Sequence, residues 1–134
     1  MRLPCRWATY SIADKVTAIL SEVPDYLPTH HFTRPWLTAY QIAIEFQRRH
    51  PEAVSEIGLP IGGVGTGQHT SLSQYLSKRL SDEIKAGNLL HIEGSFLSNL
   101  HLEDISFRSE GGIIHSSLTG TQYTLSMYRL RPEQ

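Results

Sequence analysis

The chain has 134 residues, of which 40% are apolar and 19% charged, and its 12 Lys and Arg stand against 13 Asp and Glu. This is the length of one domain, too apolar for a disordered tail and able to bury about two-thirds of the surface its unfolded form exposes. A near-zero net charge gives no bulk attraction to nucleic acid, one cysteine (Cys5) makes neither an internal disulfide nor a cysteine-rich zinc site, and no apolar run approaches the about 20 residues of a membrane span.

The N-terminal stretch MRLPCRWATYSIADKV lacks the continuous apolar core of a signal peptide, so a cytoplasmic location is expected. A first helix is predicted from Ser11 to Val23, where Ile12, Val16, Ile19, Leu20 and Val23 recur at helical steps and Pro24 stops the pattern. Residues 24–35 form a proline-punctuated connector. In the next helix Thr38 and Gln41 make a capping box, and Ala39, Ile42, Ala43 and Phe46 form the buried stripe. Arg48 and Arg49 close it, where cations suit the helix dipole. Trp36, just ahead, is expected as a core anchor under the first helix.

Pro51 opens a short helix, PEAVSEI, which Gly58 ends. A glycine-rich loop, GGVGTGQHTS from Gly62 to Ser71, leads into a longer helix from about Thr70 to Ala86. Its apolar side is Leu72, Tyr75, Leu76, Leu80 and Ile84, and its polar side is Ser73, Gln74, Ser77, Lys78, Ser81 and Lys85. Beyond Gly87 the pattern turns to strands: NLLHI, then LHLEDISF, then IIHSS and QYTLSMY as a hairpin closed by LTGT, with another turn at Glu110 to Gly112. Helices followed by a small antiparallel sheet argue for the α+β class and one domain over 1–134.

A glycine loop before a helix raises the possibility of a phosphate site. Gly62 and Gly67 have P-loop separation, but Gln68 and His69 stand where that motif needs Lys and Ser or Thr. A dinucleotide fingerprint fails at Gln68, and the hairpin strands do not supply a parallel βαβ unit. Weak anion or nucleotide binding at 62–67 stays as a third reading; the preferred one is a loop that uses glycine to turn between two helices.

The order of TAYQIAIEFQRR, PEAVSEI, TSLSQYLSKRLSDEI, GNLLHIEG and GTQYTL resembles that of winged helix-turn-helix domains, over roughly Trp36 to Leu130, with residues 1–35 as an added N-terminal helix and connector. The resemblance implies a DNA-binding transcriptional regulator with helix 70–86 in the major groove and the wing near Thr119 to Gln122 on the backbone or minor groove. Ser73, Gln74, Ser77 and Lys78 would then read bases or phosphates, and Arg79, Lys85, Arg48, Arg49 and the wing's Thr121 would lie along the DNA. The apolar stripe of Ser11 to Val23, outside that core, would pack across the two-fold axis of a homodimer. The alternative is a winged helix that docks on a protein without DNA.

Other chemistry finds little support. His91 with Glu93 and His101 with Glu103 sit at strand spacing but are expected to form solvated faces, so no metal or other cofactor is predicted. His30 and His31 are expected to face solvent. There is no G-x-S-x-G, and Cys5 has no indicated base. An enzyme is not expected.

Overall fold

A computed structural model describes residues 6–23, 29–63, 71–117 and 124–132. Its helices are α1 (Arg6–Thr9), α2 (Ile12–Ser21), α3 (Ala39–Arg49), α4 (Pro51–Ile57) and α5 (Leu72–Lys85); its strands are β1 (Leu37–Thr38), β2 (Ile92–Leu97), β3 (Ser106–Ser109), β4 (Gly112–His115) and β5 (Leu125–Leu130). The architecture is mixed α+β, with both small sheets antiparallel.

The helix ends follow from local chemistry. Thr38 accepts a hydrogen bond from the Gln41 N–H at 3.2 Å while the Gln41 side chain accepts from the Thr38 N–H at 2.7 Å. Ser71 and Gln74 repeat the arrangement at the start of α5. Each box satisfies two backbone donors that a helix start would leave orphaned. Gly58, at φ 76°, ends α4, and Gly87, at φ 83°, follows the last turn of α5. The C-terminal carbonyls of α2 accept from the Arg34 guanidinium, which reaches Leu20, Ser21 and Val23.

The core lies where α2, α3 and α5 meet the sheet. Ile12 and Val16 of α2, Ile42 and Phe46 of α3, and Leu72 and Leu76 of α5 are all fully buried. This corrects the expectation that the α2 stripe serves a two-fold axis: it is consumed inside its own chain, because α3 and β5 pack against it. The N-terminal helix is thus integral to the domain. Trp7 is the buried tryptophan, whereas Trp36 is half-buried with the Arg129 guanidinium 4.1 Å over its ring.

The main sheet has the order β1-β5-β2, and β3 pairs only with β4. The expected hairpin between 113–117 and 122–128 therefore does not form. Glu110 to Gly112 makes the tight turn that joins β4 to β3, with Gly112 at φ 125°. β5 is drawn to β2 instead, because Tyr128 and Ile92 both face the helices, and burial of one face fixes the register at Ile92↔Leu130 through Leu97↔Leu125. The first strand also starts later than 88–92. After Gly87 the chain turns, Leu89 drops into the core, Leu90 points outward, and pairing begins at Ile92.

Candidate nucleic-acid interface

α5 runs along the sheet, and its contacts decide which residues remain available. Ser73, Ser77 and Ser81 recur every four residues and form a small-residue line facing β5 and the preceding loop. Ser73 is buried, bonded to Ser71 at 3.1 Å between hydroxyls. Ser77 meets Ser126 at 2.7 Å and Ser81 meets the Tyr128 hydroxyl at 3.0 Å, while that hydroxyl donates to the Ser77 carbonyl at 3.0 Å. Ser73 and Ser77 were expected to read bases; the structure turns both inward. Serine suits this seam because it is small enough for close helix–strand approach and supplies the hydrogen bonds a buried tyrosine hydroxyl needs.

Arg79 also departs from its expected phosphate role. Its guanidinium lies 5.1 Å over the Trp7 ring and 3.2 Å from Glu83, and its Nε is buried without a partner. It ties α1 to α5. Arg48 and Arg49 both chelate Glu45, at 2.6 Å and 2.9 Å, and Arg49 also pairs with Glu22 of the α2 terminus. The two arginines, Arg48 first, hold the Glu45 carboxyl down to about 2. Thr121, with the rest of the expected wing tip, lies outside the described residues.

Gln74, Lys78, Ser81, Asp82 and Lys85 form the outward row of α5. Lys78 pairs with Asp82 at 3.2 Å, both well exposed. Such a surface pair contributes little and opens readily to a competing anion. Lys85 has no ion-pair partner among the described residues, and neither does Arg108 on the β3–β4 hairpin.

The start of α5 offers little to a phosphate. The Leu72 N–H donates to the Pro60 carbonyl at 2.6 Å, Ser73 N–H to Ile61 at 3.0 Å and Gln74 N–H to the Ser71 hydroxyl at 3.2 Å. The donors that bind anions at helix starts are therefore committed within the chain. Gly62 and Gly63 have φ of 126° and 101°, and a Cβ on Gly63 would stand 2.6 Å from Ile114 and 2.7 Å from the His115 carbonyl. These two glycines let the loop press against the hairpin and the start of α5; residues 64–70 lie outside the described part.

The β3–β4 hairpin folds back onto α3, where the Phe107 ring stacks on Tyr40 at 5.1 Å and the Tyr40 hydroxyl accepts from the Ser117 N–H at 3.1 Å. Its open end carries a cluster that sequence reading missed. Ser106 donates to Asp104 at 2.7 Å, and His115 Nδ1 lies 2.9 Å from the same carboxylate oxygen and 3.0 Å from the Ser106 hydroxyl. The Ser106 bond, then that of His115, lowers the Asp104 carboxyl below its ordinary range. Serine and carboxylate meet one ring nitrogen, so the cluster closes the hairpin end and does not set a separate base behind a nucleophile. The only sequence signal was Asp104 and Ser106 at i, i+2, which is common in loops.

The expected histidine–carboxylate pairs are used apart. His91 Nε2 is 3.0 Å from the Thr17 hydroxyl, and Glu93 joins Arg129 at 2.6 Å and Arg131 at 3.5 Å. His101 sits in a turn at φ 62°. Among the described residues no group of three or more His, Cys, Asp or Glu converges as metal ligands, and no helix is long and apolar enough to cross a membrane. His30 and His31 are exposed and stacked on each other at 4.6 Å.

Comparison with protein-family models, with curated proteins and with solved structures finds no match to this chain. Function is therefore argued from the geometry above.

Proposed function

We infer that the chain is a winged helix-turn-helix protein that binds double-stranded DNA as a regulator of transcription, with α5 presented to the major groove. The observation that carries the reading is the passage from α5 to the sheet. The chain leaves α5 at Gly87, enters β2 and returns in β5 alongside it, so the helices and the returning strand share one core, as the resemblance implies. The outward row then supplies suitable chemistry: Gln74 can pair with adenine, Lys78 and Lys85 with guanine or phosphate, and Ser81 with either. Asp82 holds Lys78 in the free protein and can accept from cytosine.

The test is fluorescence anisotropy of a mixed-sequence duplex across about 50 to about 200 mM salt, beside a Lys78→Ala, Lys85→Ala double variant. Binding should weaken linearly on logarithmic axes, and loss of two phosphate contacts should reduce the slope by roughly 1.8, at about 0.9 for each. Absence of binding at low salt by a folded protein would sink the reading.

A second reading, docking on a protein without DNA, has its own observation. Arg48, Arg49, Lys78 and Arg79 are each matched by an acid on the same helix, so the basic residues leave little net field. The salt titration separates the two.

A further inference from the structure

β2 is an outer strand of the main sheet, and one of its sides has no strand partner among the described residues. Exposed strand edges template pairing, so proteins blunt them with charge, proline, a bulge or a covering segment. The charge and proline devices are missing here: residues 94–102 read GSFLSNLHL, with His101 the sole titratable side chain. Glu93, the one charge of the strand, is engaged across β5 by Arg129 and Arg131. Five large apolar side chains are strongly exposed among the described residues, and three of them fall on this stretch: Leu90 at 74%, Phe96 at 68% and Leu100 at 74%.

We propose that this edge is an interface with a second copy of the chain, in which two β2 strands pair antiparallel about a two-fold axis through Ser95. The proposal does not depend on DNA binding. What selects a second copy is self-complementarity. In that register Gly94 stands opposite the partner's Phe96, and the axis repeats the contact. Gly94 lies on the helix-facing side, where a Cβ would be 3.3 Å from the Tyr128 ring, and beside it opens a groove of about 330 Å³ lined by Ser81, Ile84, Lys85 and Ser126. The partner's Phe96 covers the bare glycine and enters the mouth of this groove, a favourable aromatic–glycine cross-strand arrangement. Continued past the strand ends, the same register directs Leu90 toward the partner's Leu100, so all three exposed apolar residues find a counterpart. No pair of like charges is brought together, because Glu93 falls opposite the partner's Leu97 and keeps its arginines.

The test is sedimentation of the full chain from about 1 to about 100 µM, with circular dichroism and a thermal melt as fold controls. The wild type should pass from monomer to dimer, and Phe96→Lys, at an exposed position, should keep its melting curve while raising the dissociation constant about tenfold or more. In a Cys5→Ser background, Ser95→Cys should cross-link to a disulfide dimer under mild oxidation, well ahead of Gln47→Cys on the exposed side of α3. A wild type that stays monomeric throughout would overturn the proposal and leave the edge to a strand of another protein. So would a dimer indifferent to Phe96→Lys, or Ser95→Cys cross-linking no faster than Gln47→Cys.

Discussion

Tyr128 joins three elements through one hydroxyl. Its ring backs Gly94 of β2, while the oxygen engages Ser77 and Ser81 of α5. Tyr128→Phe removes the shared partner of two serine hydroxyls in a largely dry seam and should cost about 1–2 kcal/mol in chemical denaturation, with the secondary structure unchanged. Glu45 makes a second residue-scale prediction. Its carboxyl is depressed in the folded state, so its stabilisation is full above the unfolded value and is lost as pH falls toward about 2. Melting temperature followed from about pH 5 down to about pH 2 should fall less steeply in Glu45→Gln than in the wild type, the two curves converging at the acid end. These same residues show where reading stops at the sequence. A serine every four residues looks polar and outward on a helical wheel, and only the arrival of Tyr128, some 50 positions on, turns that line inward.

At the scale of elements, signals carried by neighbouring residues were the legible ones. Thr38 with Gln41, Pro51, Gly58 and Gly87 mark helix ends by satisfying or stopping the backbone within one turn, and α3, α4 and α5 begin and end close to where they predict. Ser71→Ala should therefore cost about 1 kcal/mol, and Thr38→Ala a similar amount, each measured by urea unfolding. Strand partners were less legible, since pairing depends on which faces are buried, and the short strand Leu37–Thr38 has no periodicity to reveal it. The glycine loop supplies the sharper test. Gly63→Ala meets both a disfavoured φ and the hairpin backbone, so it should destabilise by about 2 kcal/mol or more, whereas Gly87→Ala, with open space around it, should cost about 1 kcal/mol.

For the whole molecule, α2, α3 and α5 close over one face of the β1-β5-β2 sheet, and the β3–β4 hairpin lies against α3. The α+β class was readable from the order of patterns; the role of α2 was not, because an amphipathic stripe states that it is covered without stating by what. Of the residues first expected at DNA, Gln74, Lys78 and Lys85 stay outward, whereas Ser73, Ser77 and Arg79 support the core. The measurement that tests the central claim most directly is an amide chemical-shift titration of the labelled protein with a short DNA duplex at low salt. The account predicts the largest shifts at Gln74, Lys78, Ser81 and Lys85, reversed by added salt. Shifts confined to the β3–β4 hairpin, or none at all, would contradict it.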